Sequence, residues 1–401
     1  MRIVELFDGE RPINNVMVQA TYPQAQVVFV GLDGRPTDEE RARLARYFRE
    51  GGSPEPEFVD LGQGCQAAQL AGRLEPIVCG DDVYVETSGG ADALLVALGV
   101  VAGRQPVNLF MTDATTAVPK TVAGKMPPIT AARRLPSLER VVGLLGGRVV
   151  DWRSEDSKLA VDGDTRRAVD VVWREYRRDP AGYNHWAGVF ARLVNSRDPG
   201  APSEQEHDVC VDADRLSELG RRSPADLRRC RDYLGTLQGA GLVAVAQADQ
   251  DGLAFDYRSR ALRQIVDKPG LVLELFARIC ATDAGVFDEV RQGVVLDWDG
   301  DLASRGYGVG TGTSNEVDLV LTRGFKTLYV SCKSGEVDNK ALYELQTVAE
   351  KFDTGNVKTM LVCGNCTDAI VERAGDMGIY LFANAHEDAR GESLKEMLTL
   401  V

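Results

Sequence analysis

The spacing of apolar and polar positions divides the chain into three stretches. In the first, RIVELFDG from Arg2 and QVVFVG from Gln26 are short apolar runs closed by turn residues, as buried parallel strands are. GERPINNVMVQATY between them reads as a loop opening a helix. VYVETSGGADALLVALGVVAG predicts a strand, a glycine turn and an apolar helix, and VNLFMTDATT a further strand. Strands alternating with helices predict an α/β sheet, with a ligand crevice at the carboxyl ends of its strands. In the second stretch, SPADLRRCRDYLGTLQGAGLVAVAQADQDGLAFDY predicts a capped helix, a glycine turn and a hairpin around Gln250-Asp251-Gly252. That order suits either a small winged-helix-like module or a plain connector. In the third, KPGLVLELFARIC predicts a helix, EVDLVLTRGFKTLYVSCK two strands, ALYELQTVAEKF an amphipathic helix and VKTMLVCGN a buried strand. The expected divisions are 1–150, 151–262 and 263–401.

The strand pair in the third stretch carries chemistry. Side chains alternate along a strand, so Glu316 and Asp318 share one face, as do Ser331 and Lys333. Gly324-Phe325 suits a two-residue hairpin loop, with glycine where a positive φ is needed. That loop sets a register with Asp318 opposite Ser331 and Glu316 opposite Lys333. Two carboxylates and a lysine then meet on one patch. Carboxylate oxygens can hold Mg²⁺, which offsets the charge that builds on an attacked phosphodiester and keeps waters for attack. A lysine can orient or deprotonate such a water. The same residues would also make an ordinary surface hairpin with a cross-strand ion pair. Glu274, a lone acid in an apolar helix, is either a third ligand or a solvated position. The helix after Lys333, with Leu342, Leu345, Val348 and Ala349 on its apolar side, brings Glu344 and Gln346 near that strand. Gln346 reads as an ordinary surface polar.

In the first stretch, Thr87-Ser88-Gly89-Gly90 falls at a strand end before a helix. Small residues there let backbone amides approach a phosphate. By composition alone such a turn is weak evidence and is more often structural.

Composition narrows the class. The chain has 401 residues, 44% hydrophobic and 26% charged, enough for two or three domains with real cores. Its longest apolar run, ALLVALGVVAG, is too short to span a bilayer, and the N-terminus lacks a signal-peptide pattern, so a cytoplasmic protein without membrane partners is expected. Eight cysteines in so long a chain do not suggest a disulfide framework, and Cys363-Gly-Asn-Cys366 is a CxxC without a second pair. Cys332 alternates away from Lys333 into the core. The three histidines lie far apart in sequence, which leaves a histidine-based triad or zinc site little support. A net charge of −14 argues against tight constitutive nucleic-acid binding. Arg221, Arg222, Arg228, Arg229 and Arg231, and separately Arg174, Arg177 and Arg178, could contact a nucleic-acid backbone or simply solvate helix faces. RGYGVGTGTSNE precedes a strand instead of following one, so Gly306 to Gly312 reads as a mobile loop at the mouth of the site, not a dinucleotide fingerprint.

Taken together, Asn315-Glu316-Val317-Asp318, Ser331-Cys332-Lys333-Ser334-Gly335 and the Leu273-Glu274 helix resemble the PD-(D/E)xK nuclease superfamily, whose core runs helix, strand, strand, helix, strand. More narrowly, the chain resembles the CARF-domain ancillary nucleases of type III CRISPR systems, of the Can/Card type. The resemblance implies an α/β protein with an N-terminal Rossmann-like CARF domain and a C-terminal PD-(D/E)xK (restriction-endonuclease-like) domain. It implies a nuclease of DNA and/or RNA that depends on Mg²⁺ or Mn²⁺ and is activated by cyclic tetra-adenylate, acting as a homodimer in antiviral defence. Glu274, Glu316 and Asp318 would hold the metal, with Lys333 assisting the water. Ser331 stands where the superfamily has an acid. Ser88-Gly89-Gly90-Ala91-Asp92 resembles the Thr-Gly-Gly-Thr-Lys signature of CARF domains but lacks its lysine, so cleavage of the ring by this chain is not expected. The implied ring contacts are Gly9, Arg11, Pro12, Ile13, Asn14 and Asn15 in one loop, Thr87, Ser88, Gly89 and Gly90 in the second, and Thr112 with Asp113. Rival expectations are a ligand-responsive transcription regulator with an inactive nuclease-like domain, against which the retained Glu316, Asp318 and Lys333 speak, and a constitutive nuclease.

Overall fold

A computed structural model describes residues 1–63, 66–150, 159–195, 207–298 and 314–400. The Gly306–Gly312 segment lies outside the described residues.

The N-terminal part runs β1 (Arg2–Leu6), α1 (Met17–Thr21), β2 (Gln26–Gly31), α2 (Asp38–Glu50), β3 (Glu57–Asp60), α3 (Ala67–Val78), β4 (Val83–Glu86), α4 (Asp92–Ala102), β5 (Asn108–Thr112) and β6 (Pro119–Ala123). These strands form one sheet in the order β3-β2-β1-β4-β5-β6, parallel except for β6. Strand order reverses between β1 and β4, so a crevice opens there at their carboxyl ends. Alternation then sends the two sides of each strand into separate cores. Val4 and Leu6 pack with Leu94 and Leu98 of α4, while Ile3 and Phe29 pack with Val16, Phe48 and Phe110. Thr37 and Glu40 close a reciprocal capping box at the start of α2.

α5 (Leu138–Leu144) and β7 (Arg148–Val149) follow. β7 joins the C-terminal sheet, pairing with its edge, and Leu138 and Val142 pack into that sheet's core. The first 150 residues thus contribute an edge to the third stretch.

The middle stretch contains α6 (Gly163–Arg178), α7 (Pro180–Asn195), β8 (Val209–Asp212), α8 (Ala213–Arg222), α9 (Pro224–Gly239), β9 (Val243–Ala248), β10 (Gly252–Tyr257) and α10 (Arg260–Asp267). β8, β10 and β9 form a small sheet, with the β9–β10 turn at the expected Gln250 and Asp251. From α7 to β10 the order is helix, strand, two helices and a hairpin, as in a winged helix. α6 instead packs on the C-terminal part: Trp173 stacks on Phe276 at 4.0 Å.

That part contains α11 (Leu271–Ala284), β11 (Glu289–Asp297), β12 (Ser314–Arg323), β13 (Lys326–Lys333), α12 (Asn339–Lys351), β14 (Val357–Cys363), α13 (Asp368–Asp376), β15 (Tyr380–Phe382) and α14 (Glu392–Leu400). Its sheet runs β15-β14-β13-β12-β11-β7. Leu319, Leu321, Leu328 and Val330 face α11, whereas Val320, Tyr329 and Leu361 face α12. Arg323 pairs with Lys326, so Gly324-Phe325 is a two-residue turn, and Gly324 takes φ +63°. No described helix is long and apolar enough to cross a membrane.

Candidate functional sites

The crevice predicted by strand order is present. It is a cleft of about 570 Å³ between the loop after β1 and the turn after β4. Gly9, Arg11, Ser88, Gly89 and Gly90 line it, together with Asp8, Asp33 and Arg35. Its floor requires glycine. Gly90 has φ +123°, and a Cβ there would lie 2.5 Å from the Leu6 Cβ. A Cβ on Gly89 would lie 2.7 Å from Asp8 Oδ2.

The remaining residues implied in ring binding support the cleft without lining it. Asp8 Oδ1 accepts the Glu10 and Arg11 amides at 3.0 and 2.8 Å, which bends the loop. Asn14 Nδ2 donates to Asp8 Oδ2 at 2.9 Å, and Asn15 exchanges two hydrogen bonds with the Asp8 backbone. Pro12 and Asn15 line an adjoining depression of about 60 Å³, and Ile13 is buried in the core. Thr87 Oγ1 donates to the Phe110 carbonyl at 3.0 Å. The Thr112 amide donates to Glu86 Oε1 and Ser88 Oγ, each at 2.8 Å. Asp113 caps its own loop, accepting from Thr116 N and Lys120 Nζ at 2.8 and 2.9 Å, and the lysine contact first of all holds its carboxyl far below the usual range.

Sequence reading missed Arg35 and Asp33. They sit in the turn after QVVFVG, another carboxyl strand end, and that position was the available signal. Arg35 lies 5.5 Å over the Phe7 ring and pairs with Glu40, so its guanidinium stands at the cleft wall. Beneath the Gly-Gly turn, Glu5 and Glu86 are register partners on β1 and β4, both buried. Burial pushes Glu86 up to about 7 despite donors from Ser88 and Thr112. Burial, and then the neighbouring Glu86, raise Glu5 well above the usual carboxylate range.

The second cleft, about 70 Å³, lies where β12 and β13 part. Glu316, Asp318, Ser331 and Lys333 line it with Asn315, and α12 supplies Glu344, Leu345 and Val348 as the facing wall. The strand ladder last pairs Leu319 with Val330. One step further, the Asp318 carboxylate replaces a ladder bond: Oδ2 accepts the Cys332 amide at 2.6 Å and the Ser331 hydroxyl at 3.2 Å. Burial raises the Asp318 carboxyl above its ordinary value, against the Cys332 amide, Lys333 and Ser331, which favour the ion. The indole N–H of Trp298 donates to Asn315 Oδ1 at 2.9 Å and steadies the rim. Cys332 turns into the α11 side of the core, as alternation predicts.

Glu274 does not line this cleft. It approaches the sheet from the α11 side, where Gln292 Nε2 donates to its Oε2 at 3.4 Å. Its charge and that of Asp318 both raise the Cys332 thiol, after burial itself. Among the described residues no group of three or more His, Cys, Asp or Glu side chains is placed to hold a metal. The donors of the cleft nevertheless suit a hydrated hard cation, which commonly takes one or two carboxylates and completes its shell with water and substrate phosphate. Asp318 and Glu316 are such a pair, and both hydrogen bonds to Asp318 fall on Oδ2.

No protein-family profile and no curated protein matches the chain. Solved structures do. Protein VC1899 from Vibrio cholerae matches with a TM-score of 0.70 at 13% identity, over 99% of this chain and 98% of its own. Can2 from Sulfobacillus thermosulfidooxidans, in complex with cyclic tetra-adenylate, matches with a TM-score of 0.58 at 14% identity, over 99% and 97%. From end to end, then, this chain has the α/β fold that those two proteins share.

Proposed function

We propose that the chain is a metal-dependent nuclease switched on by cyclic tetra-adenylate, in the manner of the type III CRISPR ancillary nucleases. The observation that carries the reading is the likeness, over the whole chain, to a protein bound to that ring. The glycine-floored cleft supports it, because its small residues and backbone amides suit phosphates and Arg11 and Arg35 supply positive charge. A ring of repeating units is matched by two copies of one cleft about a two-fold axis, which favours a homodimer.

At the second cleft, Asp318 and Glu316 are the proposed holders of Mg²⁺ or Mn²⁺, which supplies charge neutralisation and an activated water when bound. Glu274, on the α11 side, is left out of this set. Ser331 fixes Asp318 by hydrogen bonding to Oδ2, and so orients the carboxylate instead of ligating. Lys333 faces the same cleft, where its ammonium can steady the added negative charge of an attacked phosphate. Glu344 on the opposite wall adds a third carboxylate at the rim.

The winged-helix order of the middle stretch, with exposed Arg228, Arg229 and Arg231 on α9, favours one alternative: a ligand-responsive DNA-binding regulator. One assay separates them. Plasmid, single-stranded DNA and RNA are incubated with Mn²⁺, with and without cyclic tetra-adenylate. Ligand-dependent cleavage that disappears in Asp318→Ala and Lys333→Ala supports the proposal. Cleavage indifferent to the ring refutes the activation, and absence of cleavage in all conditions refutes the nuclease.

A further inference from the structure

The turn that joins β12 to β13 looks in sequence like an exposed hairpin tip. In the structure Phe325 is only 3% exposed, and it is packed in the core of the N-terminal sheet with Ile13, Phe110 and Ala117. Its amide donates to the Ala114 carbonyl at 2.7 Å. Gly324 fits so closely that a Cβ would lie 2.2 Å from the Thr115 carbonyl oxygen, and its amide is held by Asp288 Oδ2 at 2.6 Å. The hairpin that carries Asp318, Ser331 and Lys333 at one end is therefore plugged into the sensor at the other.

The receiving loop, from Asp113 to Val118, is tied in turn to the ring cleft. Ser88, a lining residue, donates through Oγ to the Thr112 carbonyl at 3.2 Å and accepts the Thr112 amide. A second tie runs alongside. Ile13, two residues beyond the lining residue Arg11, donates its amide to the Thr354 carbonyl at 3.2 Å. A Cβ on Gly355 would lie 2.6 Å from the Arg11 Cβ. Thr354 and Gly355 lie just beyond α12, the helix that forms the facing wall of the second cleft. The next residue, Asn356, accepts the Thr327 amide of β13 at 3.1 Å. Both walls of the second cleft thus end on loops that reach the first.

We propose that Phe325 is a positioning residue that transmits occupation of the ring cleft to the Asp318–Lys333 cleft, with the Ile13–Thr354 contact as the parallel tie. This rests on the functional reading above and names its regulation. A ligand shifts an equilibrium only by binding one arrangement better than the other, so the tie must move with the bound state. The strands between tip and cleft are hydrogen-bonded throughout β12–β13 from Arg323 to Leu319, which makes them a stiff lever.

The test is hydrogen–deuterium exchange on the full chain with and without cyclic tetra-adenylate, for the wild type, Phe325→Ala, Phe325→Leu and Gly355→Ala. Peptides covering 8–15 and 87–92 report binding; those covering 316–333 report the second cleft. In the wild type both sets should respond. In Phe325→Ala the binding peptides should still respond, with affinity within about threefold of wild type, while the response over 316–333 falls about tenfold. Phe325→Leu should restore most of it, and Gly355→Ala should weaken it. Circular dichroism checks the fold; if Phe325→Ala does not fold, the Gly355 variant decides by the same criterion. A cleft response unchanged in Phe325→Ala or, where that variant does not fold, in Gly355→Ala, or missing in a wild type that binds the ring, overturns the inference. Failure of the wild type to bind the ring at all removes the functional reading, and this inference with it.

Discussion

Asp318 does two jobs whose energies oppose each other, and replacing it in two ways separates them. Its Oδ2 satisfies the Cys332 amide at 2.6 Å in a place where the strand ladder has ended. Its charge is buried, which raises its carboxyl. Asp318→Ala leaves the Cys332 amide without its acceptor, at a cost of about 1–3 kcal/mol for an unsatisfied buried donor. Asp318→Asn keeps an acceptor oxygen and removes the buried charge. Converted at 1.36 kcal/mol per factor of ten, the alanine variant should exchange the Cys332 amide about 5- to 150-fold faster than wild type, and the asparagine variant no faster than about threefold. The measurement is native-state hydrogen exchange of the β13 amides at neutral pH, which reads local opening without assuming two-state unfolding of a multidomain chain. Both variants should lose cleavage. If the Cys332 amide is as protected in Asp318→Ala as in wild type, the carboxylate is not replacing a ladder bond and the account of this cleft fails.

Further outcomes follow from the N-terminal cleft. Gly90→Ala introduces a Cβ 2.5 Å from that of Leu6 at φ +123°, a conformation costing about 1–3 kcal/mol for a non-glycine residue, so calorimetry should show ring affinity reduced about 10- to 100-fold. Unchanged binding would show that the turn is not part of the site. Glu86 is raised from 4.5 to about 7, so the folded state holds a proton that the unfolded chain has released. Stability from this group is therefore complete below about 4.5 and is lost as pH rises to about 7, on the order of 3 kcal/mol in all. Thermal melts across that range should show the slope in wild type and a flatter profile in Glu86→Gln. Ring-independent behaviour of residues 316–333 in Phe325→Ala, read by exchange, completes the set.

What the chain shows on its face is what local repetition encodes. Period-two alternation and a glycine in a two-residue turn admit a single register for EVDLVLTRGFKTLYVSCK, and that register brings Asp318 to Ser331. An apolar strand ending in Thr-Ser-Gly-Gly before a helix similarly marks the N-terminal cleft, since strand ends and helix starts both leave free amides. The same logic located the β9–β10 turn. It failed where a residue's partners lie far away in sequence. β11 went unrecognised, and β7 crosses from the first stretch to edge the third sheet, because edge pairing depends on which surfaces meet. Glu274 was placed on the right helix, but it meets Gln292 of β11 and does not line the Asp318 cleft, which its sequence position could not show. Phe325 shows the limit most sharply. Its sequence position is that of a solvent-facing turn, and only the docking of two separately patterned cores buried it. Periodicity settles how a segment folds against its neighbours; where the finished layers touch is decided by long-range contacts that leave no periodic trace.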